Sequence, residues 1–147
     1  MPPSDRVILV LEDMVERTDW LRDQVRRLWS DVHVRQIERV DDFVHEVAAC
    51  GKFRAAEPML VILDHDLGGA PTSLEGGTRD VNGETGMNAA QQMRVVRCPV
   101  VVWSVNSVRA PEMVDVLQRR GMNARWLPFG RKDGSLLVAI ERAYAAE

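Results

Sequence analysis

Three unbroken runs of apolar residues constrain the fold of this 147-residue chain more than any other feature. The runs extend over Val7 to Leu11, Met59 to Leu63 and Val100 to Trp103, and polar residues follow each of them directly. An unbroken apolar run of this length is typical of a strand that is covered on both faces. The runs therefore predict the central strands of a parallel sheet with helices packed on either side.

Stretches with the apolar spacing or the capping residue of a helix separate these runs. The sequence predicts five helices: residues 14–29, a helix that Asp41 caps, residues 86–96, residues 110–120, and a helix that Asp133 caps. Two weaker strands are predicted over residues 32–37 and 124–127. Strand and helix thus alternate five times, which predicts one α/β domain over residues 1–147. Its sheet should be doubly wound, with five parallel strands in the order 2-1-3-4-5.

Composition and charge argue against several classes of partner. The formal net charge of -3 gives no electrostatic reason to expect a DNA-binding domain or a membrane-surface protein. No apolar run approaches the ~20 residues of a membrane span, and the first residues lack the features of a signal peptide. Cys50 and Cys98 do not have metal-ligand spacing, so we expect reduced thiols and a cytoplasmic protein.

Polar side chains end the three strands that this strand order makes central neighbours. They are Glu12 and Asp13 after the first run, Asp64, His65 and Asp66 after the second, and Ser104 with Asn106 after the third. Ligands of doubly wound sheets bind outside the carboxyl ends of such strands. Carboxylates held together raise one another's pKa unless a cation lies among them, and Mg²⁺ prefers hard oxygen ligands. The sequence therefore predicts a site for Mg²⁺ or another divalent cation, with these candidate ligands: Glu12, Asp13, Asp64 and Asp66.

The order of these residues resembles the receiver domain of bacterial response regulators over nearly the whole chain. The resemblance implies the receiver (flavodoxin-like) architecture, with Glu12 and Asp13 holding Mg²⁺. It implies that Asp64 accepts a phosphoryl group in two-component signalling and that Ser104 contacts the phosphate. It also implies a signalling partner protein, and a homodimer through the fourth and fifth helices.

One position departs from the receiver pattern. The family has a lysine at the end of the fifth strand, usually before a proline, whereas this chain has Leu127 before Pro128. Arg131 or Lys132 is a candidate to supply the missing charge. Without such a cation, a phosphorylated state would lose a partner worth about 1 to 3 kcal/mol.

A narrower resemblance rests on residues 64–68, DHDLG, together with Ser104 and Asn106. These residues resemble the group of cyclic-phosphate processing receiver-like domains, although Trp103 stands where that group has a histidine. The resemblance implies a phosphate-containing small molecule or nucleotide as ligand. It makes the chain a candidate metal-dependent cyclic-phosphate hydrolase, with Asp64 and His65 as catalytic residues.

Several roles stay open at the level of sequence. His65 is a candidate metal ligand or general base, or a hydrogen-bonded structural histidine. Arg17 is a candidate phosphate clamp, or the surface partner of Asp13 four residues earlier. Asn106 is a candidate phosphate ligand, or the cap of the helix that follows.

The segment from residue 67 to residue 86 is unusual in its composition. It contains six glycines: Gly68, Gly69, Gly76, Gly77, Gly83 and Gly86. Connections of this length inside a compact domain are uncommon and often cover a binding site. A lid over the phosphate site and a plain flexible connection are the two interpretations.

Overall fold

The five strands lie parallel in one sheet, in the predicted order 2-1-3-4-5. The strands are β1 (Arg6–Leu11), β2 (Val32–Ile37), β3 (Leu60–Leu63), β4 (Val100–Ser104) and β5 (Ala124–Pro128). The computed structural model describes residues 6–52, 57–67, 79–80, 82–128 and 134–146. The fold class expected from the alternating pattern is therefore confirmed.

Within the described ranges, five helices cover the two faces of this sheet. They are α1 (Val15–Leu28), α2 (Val40–Lys52), α3 (Gly86–Gln92), α4 (Arg109–Arg119) and α5 (Ser135–Ala145). Alternate residues of each central strand face opposite layers: Ile8 packs with α1 and α5, and Leu9 packs with α2, α3 and α4. Both faces of β1, β3 and β4 are buried, which explains why their apolar runs have no polar interruption.

The register of the sheet brings the carboxyl ends of β1 and β3 level, and β4 continues two residues beyond them. Leu63 of β3 pairs with Leu11 of β1 and with Val102 of β4. The ladder continues one step, because the Asp64 N–H donates a hydrogen bond to the Leu11 carbonyl at 3.0 Å. The polar residues that follow these strands therefore emerge at one edge of the sheet.

Helix α3 is shorter than predicted, because it ends at Gln92 and not at residue 96. Met93 has an extended ψ of 148°, which takes the chain out of the helix. The Arg120 guanidinium then donates hydrogen bonds to the Ala90 carbonyl at 2.7 Å and to the Met93 carbonyl at 2.6 Å. A side chain from α4 thus satisfies the carbonyls that a longer helix would have satisfied internally.

The start of α2 also differs from the prediction. Helix α2 begins at Val40, so the predicted cap Asp41 lies inside its first turn. The cap comes from Asp80, whose Oδ2 accepts a hydrogen bond from the Val40 N–H at 2.9 Å. The other oxygen of Asp80 accepts the N–H groups of Asn82 and Glu84, at 2.8 and 2.9 Å. Asp80 therefore fastens the end of the glycine-rich segment to α2.

Some predictions concern residues outside the described part of the chain. These are the cap Asp133, the candidate cations Arg131 and Lys132, and residues 68–78 and 81 of the glycine-rich segment. Among the helices of the described residues, none has both the length and the apolar content that crossing a membrane requires.

We predict that Asp80→Ala lowers the free energy of unfolding by about 1 to 2 kcal/mol, because it removes the cap of α2. Burial alone would raise the pKa of Asp80, but the N–H groups of Val40, Glu84 and Asn82 outweigh it and hold that pKa below its ordinary value. A depressed pKa means that the contribution is present at neutral pH and is lost as the pH falls through that pKa. Urea unfolding at neutral and acidic pH measures both effects.

Asp41→Ala is the matched control for Asp80→Ala. Asp41 is exposed and lies one residue inside α2, so its replacement should change the free energy of unfolding by at most about 0.5 kcal/mol. A larger loss for Asp41→Ala than for Asp80→Ala would contradict the assignment of the cap.

Candidate functional site

Three carboxylates come together where β1 and β3 end. Glu12, Asp13 and Asp64 each place one oxygen within 4.8 Å of the others. The side chains of Glu12 and Asp64 are almost wholly buried, with 1% and 2% of their surface exposed, and Asp13 is half-buried. The sheet produces this cluster directly, because Glu12 and Asp64 are the residues that follow the paired Leu11 and Leu63.

The chemistry of this cluster fits a divalent cation. The Glu12 Oε2 and Asp64 Oδ1 atoms are buried and have no hydrogen-bond partner among the residues that the structure describes. A buried polar atom without a partner costs free energy, and a bound cation would remove that cost. Carboxylate oxygens are also the ligands that Mg²⁺ prefers. Three of the four predicted ligands therefore form a set that suits Mg²⁺.

Arg17 enters the same pocket from the first turn of α1. Its Nη1 atom lies 3.2 Å from Asp64 Oδ2, to which it donates a hydrogen bond, and 3.6 Å from Glu12 Oε2. The Arg17 side chain is only 8% exposed. The alternative of a surface ion pair is therefore wrong, and Arg17 belongs to the acidic cluster.

The electrostatics of the pocket raise the pKa values of two of its carboxyl groups, Glu12 and Asp64. Burial raises the pKa of Glu12 to about 9, the neighbouring Asp64 adds to the rise, and Arg17 opposes it. Burial also raises the pKa of Asp64, while the nearby Glu12, Arg17 and Ser104 side chains oppose that rise. A divalent cation bound among these carboxylates would favour their charged forms and lower both pKa values.

Ser104 reaches the site from the end of β4. Its side chain is fully buried, and its Oγ accepts a hydrogen bond from the Asn106 N–H at 3.1 Å. The hydroxyl contributes to the electrostatics of Asp64, so it lies beside that carboxylate. The structure thus brings Ser104 together with the acidic cluster, as the order of residues predicts.

His65, Asp66 and Asn106 form a second polar cluster. His65 Nδ1 lies 2.8 Å from Asp66 Oδ1, and both side chains are buried. The Asn106 Nδ2 donates a hydrogen bond to the same Asp66 oxygen at 3.3 Å. An ionised carboxylate only accepts, so Nδ1 of a neutral His65 carries the proton and Nε2 is left as the acceptor.

The second cluster separates Asp66 from the other candidate ligands. Among the described residues the close carboxylates are Glu12, Asp13 and Asp64, whereas Asp66 is occupied by His65 and Asn106. Asn106 also caps α4, because its Oδ1 accepts the Arg109 N–H at 2.9 Å. The capping role of Asn106 is thus present, and its amide nitrogen faces Asp66.

Two hydrophobic residues occupy positions where the resembled families have polar ones. Trp103, which stands in place of a histidine, is 6% exposed and packs against Trp20 with ring centroids 6.0 Å apart. Leu127, which stands in place of a lysine, packs against the core between the sheet and the α1–α5 layer. Both side chains therefore contribute to packing.

Gly86 supports the backbone of the site, a role that the sequence does not signal. Its N–H donates to the His65 carbonyl at 2.9 Å, at the start of α3. A Cβ added at Gly86 would collide with the Asp64 carbonyl oxygen and would lie 2.8 Å from the His65 Cα. Only glycine allows α3 to begin this close to the chain that carries Asp64.

Comparison with known proteins identifies the fold. No protein-family model and no curated protein sequence matches the chain. Solved structures of response regulators do match. The Mn²⁺-bound form of the response regulator Rcp1 has a TM-score of 0.59 and 16% identity, over 97% of this chain and 91% of that chain.

Two further structures agree with this result. The response regulator TrrA from Thermotoga maritima, in complex with Mg²⁺-BeF, has a TM-score of 0.58 and 15% identity, over 94% of this chain and 98% of that chain. The BeF3-activated receiver domain of RstA from Klebsiella pneumoniae has a TM-score of 0.59 and 21% identity, over 94% and 97%. This protein therefore has the receiver fold, with an acidic cluster at the strand ends.

We predict that Gly86→Ala lowers the free energy of unfolding by about 1 to 3 kcal/mol, because the new methyl group forces the backbone of residues 64–65 to move. The movement should change the amide chemical shifts of Asp64 and His65. The measurements are urea unfolding and a ¹H–¹⁵N NMR spectrum of the folded variant.

Gly83→Ala is the matched control. Gly83 has a φ of 79° and no neighbour within 4 Å of an added Cβ, so the substitution should cost about 1 kcal/mol through backbone strain alone. It should leave the shifts of Asp64 and His65 unchanged. If Gly83→Ala changed the amide chemical shifts of Asp64 and His65 as much as Gly86→Ala does, the close approach of Gly86 would not be what supports the site.

Proposed function

We propose that this chain is a receiver-like domain that binds a divalent cation and a phosphate group at the strand ends, and that Asp64 accepts a phosphoryl group. One observation carries the proposal: the oxygens of Glu12, Asp13 and Asp64 lie within 4.8 Å of one another, and Asp64 Oδ1 is buried with no hydrogen-bond partner among the described residues. That oxygen is available as a ligand or as a nucleophile. The carboxylate set suits Mg²⁺.

The ions bound in the similar structures support the proposal. Rcp1 was solved with Mn²⁺, and TrrA with Mg²⁺ and a beryllium fluoride. Both are response regulators with the same fold as this chain. We extend the divalent cation from both to this protein, and the beryllium fluoride bound to TrrA, an analogue of a phosphoryl group, supports phosphoryl transfer to Asp64.

Each residue has a separate role in the proposal. Glu12, Asp13 and Asp64 hold Mg²⁺, which when bound neutralises negative charge on the transferring phosphoryl group. Arg17 donates to phosphate oxygens from α1, and the Ser104 hydroxyl donates from β4. Asp66 is left outside the ligand set, because its Oδ1 already bonds to His65 and Asn106.

The wider proposal concerns the setting of the domain. We propose that residues 1–147 form a single cytoplasmic receiver-like domain that acts on a signalling partner protein. Its homodimerisation through α4 and α5, and the role of residues 67–86 as a lid, remain part of this proposal. Asp80 and Gly86 hold the described end of that segment against α2 and the site.

We predict that incubation with acetyl phosphate and Mg²⁺ yields a covalent phosphoryl adduct on Asp64. An Asp64 oxygen forms a bond to phosphorus while the bond from phosphorus to the acetate oxygen breaks, and acetate leaves. Intact-protein mass spectrometry measures the adduct. It should disappear in Asp64→Asn, which removes the nucleophile, and in the presence of a chelator.

Asp19→Asn is the control for this experiment. Asp19 is an exposed carboxylate on α1, so the variant should be modified as fully as the wild type. An adduct that persists in Asp64→Asn, or wild-type protein that stays unmodified with Mg²⁺, would contradict the proposal.

A second candidate function, hydrolysis of a cyclic phosphate, is favoured by the bond between His65 and Asp66. That bond leaves Nε2 of a neutral His65 able to take a proton from water as a general base. The oxygen of water would form a bond to phosphorus while one of the two ester bonds of the ring breaks, and the proton that His65 took would pass to the released ester oxygen. Turnover of 2′,3′-cyclic nucleotides that requires Mg²⁺ and is lost in His65→Gln, without any adduct on Asp64, would favour this function over the first.

A further inference from the structure

Arg17 is a fixed positive charge inside the acidic cluster. Its guanidinium lies 3.2 Å from Asp64 and 3.6 Å from Glu12. A guanidinium stays protonated at any pH that the protein experiences, and burial of its charge requires such partners. With 8% of its side chain exposed, Arg17 cannot exchange these carboxylates for water without a rearrangement of the pocket.

In this position the Arg17 guanidinium repels a divalent cation. A cation ligated by Glu12 and Asp64 shares the attraction of those carboxylates with the guanidinium, and like charges repel strongly where water is excluded. From the same position the guanidinium attracts a phosphate. A phosphoryl group on Asp64 would present anionic oxygens to a guanidinium that already contacts that carboxylate.

The residue at the end of β5 explains why a cation on α1 matters for this site. Leu127 occupies the position where receiver domains carry a lysine, and its side chain packs against the core. The described part of the chain therefore provides a cation to Asp64 from α1. Arg17 is also in place before any phosphate arrives.

We infer that Arg17 is a resident counter-ion that weakens binding of a divalent cation at the Glu12, Asp13 and Asp64 cluster and strengthens binding of a phosphoryl group at Asp64. The inference rests on the proposed function, because it assigns a regulator to that same site. It makes cation and phosphate binding depend on Arg17 in opposite directions. A purely structural arginine would not produce opposite effects.

We predict that Arg17→Gln binds Mn²⁺ or Mg²⁺ at least about tenfold more tightly than the wild type, because a buried like charge is removed. At saturating Mg²⁺ the same variant should bind beryllofluoride at least about tenfold more weakly, because the charge-assisted donor is lost. Isothermal titration calorimetry on chelator-treated protein measures both affinities.

Three variants act as controls. Arg17→Met keeps a long side chain without polar atoms, and serves as the uncharged variant if Arg17→Gln does not fold by circular dichroism. Arg17→Lys keeps the charge, so its cation affinity should stay within about threefold of the wild type. Arg27→Gln removes an exposed arginine ten residues along α1, about 15 Å away, and should change neither affinity.

The outcomes separate this inference from the proposed function. If the wild type binds Mn²⁺ and Asp64→Asn does not, while the uncharged Arg17 variants bind it no more tightly than the wild type, the inference is wrong and the site stands. If the wild type, Asp64→Asn and the uncharged Arg17 variants all fail to bind Mn²⁺, the metal site and the inference fall together. Weaker binding of both Mn²⁺ and beryllofluoride in the uncharged variants would mark Arg17 as merely structural and overturn the inference.

Discussion

The hydrogen bond from the Asp64 N–H to the Leu11 carbonyl holds the end of β3 level with the end of β1. Because the strands are parallel, this register makes Glu12 and Asp64 neighbours at the point where each chain leaves the sheet. Helices bury both faces of the sheet, and Glu12 and Asp64 at its edge keep only 1% and 2% of their surface exposed. The backbone pairing alone therefore places two carboxylates side by side in a poorly hydrated space.

Burial of these carboxylates costs free energy of folding, and that cost indicates a binding role. Buried ion pairs seldom stabilise a fold more than apolar side chains of similar size would, since desolvation offsets their attraction. Glu12 illustrates the cost, because burial and the neighbouring Asp64 raise its pKa to about 9. Arg17 reduces this cost of burial without removing it, since Glu12 Oε2 and Asp64 Oδ1 still have no hydrogen-bond partner among the described residues. A cluster that stays unsatisfied with an arginine inside it is better suited to a ligand than to stability.

The strand order and the acidic edge were predictable because they follow from local patterns. Apolar runs identify the buried strands, and the residue after each run is the residue at the edge. The contacts that refine the site join distant parts of the chain. Arg17 and Asp64 are 47 residues apart, and the cap of α2 comes from Asp80, 40 residues beyond Val40. Helical spacing indicates only Asp13 as a partner for Arg17, so neither the burial of Arg17 nor its contacts with Asp64 and Glu12 could be predicted.

The separation of Asp64 from Asp66 has a similar physical origin. In a continuous strand residues 64 and 66 would point to the same face, but β3 ends at Leu63. The chain then turns where Gly86 meets the His65 carbonyl, and Asp66 contacts Asn106 at the start of α4. Acceptance of a phosphoryl group draws on Asp64, Arg17 and the β1 carboxylates, whereas base catalysis needs His65, Asp66 and Asn106 in addition to the cation that those carboxylates would hold. Because His65 lies outside the acidic cluster, its substitution tests base catalysis without removing a group on which acceptance of a phosphoryl group depends.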